Sequence, residues 1–150
     1  MNSNNKQPVI IGVDGGGSKV TAGIIKKHRD IFSLNKSSSN RYYLENPDFD
    51  RGFSPVSMSN QLRELRTNEI KPTSAEIAQS KPIINSFRDV ILELNINSPV
   101  LIGIGMVGLK TPDKRGIGAM ANGPRMPKFC AQLEQLLQDA KVGLKYPIRQ

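Results

Sequence analysis

The chain has 150 residues and a formal net charge of +8 at pH 7, which is sufficient length for one domain with its own core. No apolar run approaches the roughly 18 residues of a membrane-spanning helix, and the polar N-terminus lacks the apolar core of a signal peptide. The single cysteine excludes an internal disulfide and a cysteine-built metal cluster. These features predict a cytoplasmic protein that does not enter a membrane. The Lys and Arg residues are scattered without interleaved aromatic side chains, so the charge does not favour nucleic-acid binding.

Near the N-terminus, two apolar, β-branched runs flank Asp-Gly-Gly-Gly-Ser-Lys at residues 14–19. The runs Val9–Val13 and Val20–Ile25 predict two strands joined by a glycine-rich turn. Glycines let the backbone enter left-handed conformations and approach a ligand closely, and successive N–H groups in such a turn can bind an anion. The pattern predicts a phosphate-binding hairpin, with Asp14 placed to hold a hydrated Mg²⁺ against phosphate oxygens. Its other residues are Gly15, Gly16, Gly17, Ser18 and Lys19.

Other glycine motifs explain this stretch less well. In a P-loop, Lys precedes Ser or Thr and a helix follows, whereas here Ser18 precedes Lys19 and a strand is predicted next. The dinucleotide-binding fingerprint needs a third glycine where this chain has Val20. A tight turn without a ligand remains an alternative, although two residues would suffice for such a turn.

The chain after the hairpin predicts a third short strand, Ile31–Leu34, and then changes character. Residues 37–71 are rich in Ser, Asn and Pro and show no sustained period, apart from a brief helical turn predicted at Gln61–Arg66. A structureless stretch of this length is uncommon inside a compact domain. We therefore expect an irregular insertion that folds over the sheet or forms part of an interface.

Two helices and a strand are predicted beyond this insertion. Thr73 and Glu76 have the spacing of a capping box, and Pro82 is expected to break or kink the helix or to begin the next segment. Pro99–Met106 predicts a central buried strand. Each helix has apolar residues at helical spacing: Ile83, Ile84, Phe87, Val90, Ile91 and Leu94 in the first, and Phe129, Leu133, Leu136, Leu137 and Ala140, with Cys130 packed beside them, in the second.

The predicted strand runs into Gly-Ile-Gly-Met-Val-Gly at residues 103–108, which formally matches the dinucleotide-binding fingerprint. Pro112 and the following Asp-Lys-Arg-Gly turn interrupt the helix that this motif requires. Asp113 in that turn can bind hydroxyl groups, or it can serve the turn alone. Asn122 can donate and accept hydrogen bonds, as hydroxyl recognition requires, but Asn122-Gly123 also suits a turn before a helix that starts at Pro127.

The 14–19 motif resembles the phosphate-1 motif of the actin/Hsp70/sugar-kinase superfamily. Within that superfamily it is most similar to ROK-type sugar kinases and the related BadF/N-acetylglucosamine-kinase group, where Thr usually stands in place of Ser18. Residues 103–108 resemble the Gly-Ile-Gly-x-Pro-Gly strand end of ROK-type kinases, with Val107 in place of proline. Residues 122–129 partly resemble the region where such kinases meet the sugar hydroxyls. Together these matches indicate four candidate substrate-binding residues: Gly108, Asp113, Asn122 and Gly123.

The element order β-β-β-α-β-α, followed by a fifth strand, predicts a ribonuclease H-like (actin-like ATPase) α/β domain with a mixed sheet of about five strands flanked by helices. We expect residues 1–150 to form a single N-terminal lobe, truncated before the C-terminal lobe. The resemblance implies ATP and Mg²⁺ as cofactors and a sugar as substrate. It indicates the nucleotide-phosphate-binding half of an ATP-dependent carbohydrate kinase that is inactive alone, since no residue fits the catalytic carboxylate.

Two other functions fit the same sequence. One is an activator-type ATPase of the BadF group, and the other is a non-catalytic interaction domain that keeps the fold. A lone lobe leaves apolar surface exposed, so we also expect a homo-oligomer or a partner that supplies the C-terminal lobe.

Overall fold

A computed structural model describes residues 7–150, with the side chains of residues 36–38 excepted. Four strands form the main sheet in the order β3-β2-β1-β4. The first three strands pair antiparallel, and β4 lies parallel to β1. The bounds are β1 Val9–Gly15, β2 Lys19–His28, β3 Ile31–Tyr42, α1 Met58–Thr67, α2 Ser74–Leu92, β4 Val100–Met106, β5 Leu109–Lys110, β6 Ile117–Ala119 and α3 Phe129–Asp139.

The backbone after α3 returns to the sheet and takes a fifth position beside β4. The N–H of Val100 donates to the carbonyl of Gly143 at 2.8 Å, and the N–H of Ile104 donates to the carbonyl of Arg149 at 2.8 Å. Both contacts belong to parallel bridges. Three antiparallel strands followed by two parallel neighbours give the ribonuclease H-like arrangement, so the predicted fold class is confirmed.

The core lies between the sheet and helices α2 and α3. Helix α2 packs against β1, β2 and β3, and α3 packs against α2. Their contact includes the rings of Phe87 and Phe129, which meet edge to face with centroids 4.9 Å apart. Burial alternates along β4: Ile102 and Ile104 face this core, whereas Gly103 and Gly105 are exposed on the opposite face. The strand predicted to be buried throughout is therefore buried on one face.

Helix α2 begins with the predicted capping box but continues through Pro82, so the predicted break is wrong. The hydroxyl of Thr73 accepts from the N–H of Glu76 at 3.2 Å, and the Glu76 carboxylate accepts from the N–H of Thr73 at 2.8 Å. An interior proline costs about 3 kcal/mol. The helix tolerates it because residues on both sides of Pro82 are buried, including Gln79, Ser80, Ile83, Ile84 and Phe87.

The predicted irregular insertion at 37–71 is wrong in part, because β3 extends to Tyr42 and α1 is a ten-residue helix. Tyr42 pairs with Lys19 of β2, so the length of β3 follows from its neighbouring strand and not from its own composition. A 3-10 turn follows at Tyr43–Glu45. Helix α1 turns Gln61, Leu62, Glu64 and Leu65 inward, and the polar Gln61 is the one fully buried residue among them.

The short strands β5 and β6 pair with each other in a separate two-stranded sheet, next to α1. Helix α3 begins at Phe129, so the alternative that placed its start at Pro127 is wrong by two residues. Cys130 is the second residue of α3 and is buried. Within residues 7–150, no helix combines the length and apolar character required to cross a bilayer.

Candidate functional site

The predicted glycine hairpin (residues 14–19) joins β1 to β2, and the N–H of Gly16 donates to the carbonyl of Lys19 at 2.9 Å to close the turn. The hairpin does not use the left-handed conformations that its glycines allow. Among the described glycines, only Gly108 has a φ in the left-handed range. Among the three glycines of the hairpin, lack of space for a Cβ explains the glycine at position 15 alone.

The three glycines differ in the space around them. A Cβ on Gly15 would lie 2.2 Å from the ring of Phe87, which is fully buried, so this position requires close packing of backbone on an aromatic ring. A Cβ on Gly17 would have no atom within 4 Å. Gly17, Ser18 and Lys19 are exposed. The tip of the hairpin is therefore open to a ligand, whereas its base is part of the core.

Asp14 lies at the end of β1 with its side chain exposed on the open face of the sheet. It pairs in register with Gly105 of β4, where an added Cβ would lie 3.5 Å from the Asp14 carboxylate. In residues 7–150, no three His, Cys, Asp or Glu side chains lie close enough to hold a metal ion. Asp14 is therefore not part of a cluster of three such side chains in the described residues.

A cleft of about 560 Å³ opens beside the hairpin and brings distant residues together. Its lining includes Gly16 and Gly17 of the hairpin and three of the four predicted substrate residues, Gly108, Asn122 and Gly123. Its volume is within the usual range for small-molecule sites. Most of the remaining lining is apolar and includes Phe49, Met58, Ile83, Met106, Leu109 and Met120.

Gly108 connects β4 to β5 with a φ of 108°. A Cβ at this position would lie 2.8 Å from the carbonyl oxygen of Ala119, in addition to the conformational strain. The turn that lines the cleft therefore requires glycine at position 108, because no other residue combines this φ with so little space.

Asp113 lies outside the cleft, in the turn between β5 and β6. Its carboxylate accepts from the Thr111 hydroxyl at 2.5 Å and from the N–H of Arg115 at 2.9 Å. These hydrogen bonds hold the pKa of Asp113 below its usual value. Of the two interpretations of this residue, the geometry favours the turn.

Helix α1 holds the wall of the cleft through Gln61, a residue that the sequence did not indicate as functional. Its amide nitrogen donates to the carbonyls of Val56 at 2.7 Å and Met120 at 3.1 Å, and its oxygen accepts from the N–H of Met120 at 2.8 Å. The side chain thus pairs with the Met120 backbone as a neighbouring strand would. No pattern in the sequence marks this glutamine, because its role depends on a partner 59 positions away.

Arg125 fixes the other end of the same segment. Its guanidinium donates to Glu76 of α2 at 2.8 Å from both Nε and Nη2, and to Glu64 of α1 at 2.5 Å. The side chains of Arg125 and Glu76 are each 1% exposed. Gln61 and Arg125 together connect residues 120–125, which include Asn122 and Gly123, to the two helices behind them.

Tyr43 lines the cleft beside the hairpin, and its N–H donates to the carbonyl of Ser18 at 2.9 Å. Its hydroxyl is buried and has no hydrogen-bond partner within the described part of the chain. Burial, and secondarily the Asp14 carboxylate, raises the pKa of Tyr43 well above its ordinary value of 10. The hydroxyl therefore stays protonated at physiological pH.

We expect Tyr43→Phe to raise the free energy of unfolding by about 1 kcal/mol, because a buried hydroxyl without a partner carries an unrecovered desolvation cost. Urea unfolding followed by circular dichroism measures this change. Tyr42→Phe, at an exposed position on β3, is the matched control and should have little effect. A clear loss of stability in Tyr43→Phe would mean that the hydroxyl has a partner in solution.

No family model matches the sequence, and no curated protein sequence matches it. Similar solved structures include the Aquifex aeolicus PPX-GPPA enzyme, at 11% identity and a TM-score of 0.37, covering 94% of this chain and 36% of that one. Another is the type II crystal structure of the Aquifex aeolicus Ppx/GppA phosphatase, at 10% identity and a TM-score of 0.34, covering 95% and 36%. The chain spans little more than a third of these structures, and at such TM-scores the likeness carries no functional argument.

Proposed function

We propose that the chain binds nucleotide phosphates together with Mg²⁺ through the glycine hairpin, as the N-terminal lobe of an actin-like ATPase. One observation carries this proposal. The predicted phosphate residues Gly16 and Gly17 line the same 560 Å³ cleft as Gly108, Asn122 and Gly123, which lie far away in the sequence. The ribonuclease H-like order of strands supports the proposal. In this order β1 and β4 are parallel neighbours, so the hairpin after β1 lies at the same end of the sheet as the end of β4.

Each residue of the hairpin has a chemical role in this proposal. The exposed tip at Gly17 allows phosphate oxygens to approach the backbone N–H groups, and Lys19 adds a positive charge beside them. Asp14 would hold Mg²⁺ through water, and the ion would neutralise charge on the phosphates. Phosphoryl transfer depends on positioning and on charge stabilisation from both sides of the nucleotide. The hairpin supplies one side, so turnover requires a second lobe or partner.

The finer proposal is an ATP-dependent carbohydrate kinase of the ROK type, with the sugar near Asn122. It is supported by the resemblance at residues 14–19 and 103–108 and by the position of Asn122 in the cleft. The alternative of a BadF-type activator ATPase rests on the same resemblance at residues 14–19. The interaction domain differs from both, because such a domain has no need to bind ATP with Mg²⁺.

We expect Asp14→Asn to weaken Mg²⁺-dependent ATP binding at least tenfold while the melting temperature stays within about 2 °C of the wild type. The side chain is exposed, so its loss removes a ligand of the metal and little packing. Isothermal titration calorimetry with ATP, with and without Mg²⁺, measures the effect. Asp30→Asn, in the exposed turn between β2 and β3, is the matched control.

Equal affinity of Asp14→Asn and the wild type for ATP in the presence of Mg²⁺ would contradict the assignment of Asp14 as a metal ligand. No ATP binding by the wild-type protein, with or without Mg²⁺, would overturn the nucleotide proposal and favour the interaction domain.

A further inference from the structure

We propose that the cleft, beyond the phosphate at the hairpin, takes an apolar alkyl or aryl group in place of the sugar of the carbohydrate-kinase proposal, so that the two assignments are alternatives that the same experiment decides. The inference deepens the proposed function, and the binding of the ligand's phosphate at the hairpin rests on that function. It follows from which polar groups of the cleft are still able to bind a ligand.

The polar side chains of the cleft offer few hydrogen bonds. The amide of Gln79 is committed to the backbone of Asp50, accepting from its N–H at 2.9 Å and donating to its carbonyl at 3.1 Å. The hydroxyl of Tyr43 is buried out of reach. Among the described lining residues, Asn122 remains as the exposed side-chain amide.

A sugar carries several hydroxyl groups, and each hydroxyl buried without a partner costs free energy. The side-chain amide of Asn122 cannot satisfy them alone, and the backbone N–H groups of the hairpin are the ones that the phosphate occupies in the proposed function. An alkyl or aryl group has no such requirement and gains from contact with the apolar lining.

The shape and chemistry of the lining suit an adaptable apolar ligand. Three methionines, Met58, Met106 and Met120, line the cleft, and thioether side chains fit irregular apolar surfaces because they are flexible and polarizable. Val107 and Leu109 are each about half exposed at its mouth. The exposed hairpin tip at Gly17 lines the same cleft, so the cleft combines an apolar lining with a backbone turn that suits an anion. The occupant with this pair of properties is an alkyl or aryl phosphate.

A series of butyl, hexyl and octyl phosphate tests the inference on the whole chain, with inorganic phosphate and glucose 6-phosphate as comparators. Calorimetry should show affinity rising about fourfold for each added methylene group until the cleft is filled. Hexyl phosphate should bind at least tenfold more tightly than either comparator. Affinity for glucose 6-phosphate equal to or greater than that for hexyl phosphate would overturn the inference.

Methionine methyl groups locate the binding. With carbon-13-labelled methionine, hexyl phosphate should shift the NMR signals of Met58, Met106 and Met120 but not that of Met126, which is buried outside the cleft. Shifts of Met126 as large as those of the other three would indicate non-specific association and overturn the inference. Concentration-dependent shifts without ligand would show instead that a second copy of the chain occupies the cleft.

A pair of variants completes the test. Val107→Asn places a polar group at the mouth of the cleft and should weaken hexyl phosphate binding about tenfold. Ile77→Asn makes the same kind of change at a similarly exposed site outside the cleft and should not change the binding. Equal effects of the two variants would contradict the assignment.

This outcome is separable from that of the nucleotide proposal. Binding of ATP with Mg²⁺ but no chain-length trend would overturn only the apolar ligand. A chain-length trend without ATP binding would overturn only the nucleotide proposal.

Discussion

Arg125→Met is expected to lower the free energy of unfolding by about 3–5 kcal/mol, because it leaves the buried Glu76 carboxylate without its cation. Arg125 donates to this carboxylate from two nitrogens, and both side chains are 1% exposed. Urea unfolding at pH 7, followed by circular dichroism, measures the loss. The segment that carries Asn122 should also loosen, so ligand binding in the cleft should weaken with it.

Two further variants separate the buried charge from other causes. The double variant Arg125→Met/Glu76→Gln removes the unpaired charge and should be more stable than the single variant. Arg88→Met breaks the partly exposed pair with Asp89 and should cost less than about 1 kcal/mol. A single variant as stable as the wild type would show that the buried pair contributes no net stability.

The pH dependence of Arg125→Met provides an independent check. Burial alone would raise the pKa of Glu76, but hydrogen bonds from Arg125 and from the Thr73 N–H outweigh burial and hold the pKa below its ordinary value of 4.5. In the wild type this stability is present above pH 4.5 and is lost as the pH falls through the lowered pKa. Without Arg125 the pKa rises, and protonation of Glu76 then stabilises the variant. Its deficit should therefore shrink between pH 7 and pH 4.

Gly15→Val is expected to cost about 3 kcal/mol or more, the second large effect. Even the Cβ would lie 2.2 Å from the Phe87 ring, and this ring is fully buried against Phe129 and cannot move without disturbing the core. Thermal and urea unfolding measure the change. Gly15→Ala, with the same Cβ and no branch, should lie between the wild type and Gly15→Val.

The matched control is Gly17→Val in the same hairpin. No atom lies within 4 Å of its Cβ position, so the cost in stability should stay below about 1 kcal/mol. The side chain would, however, occupy the lip of the cleft and should weaken ATP binding. If the two valine variants were equally stable, the distinction between a packed base and an open tip would be wrong.

Much of the fold could be predicted from local patterns in the sequence. The β-branched runs around residues 14–19 correctly predicted two strands and a turn. Thr73 and Glu76 correctly predicted the start of α2, and the apolar periodicity predicted the buried faces of α2 and α3. The order of these elements was sufficient for the ribonuclease H-like topology. These features depend on residues a few positions apart, where propensity and periodicity act.

Tertiary structure alone decided the extent of β3, the passage of α2 through Pro82 and the connection of the cleft wall to the helices behind it. β3 reaches Tyr42 because β2 offers a partner, and α2 continues because burial of its face outweighs the cost of the proline. Gln61 and Arg125 bind partners about 50 to 60 positions away, and no local pattern encodes those pairs. The cleft forms where these long-range contacts bring Asn122 and the glycine hairpin to one cavity, since its shape depends on packing between segments that are distant in sequence.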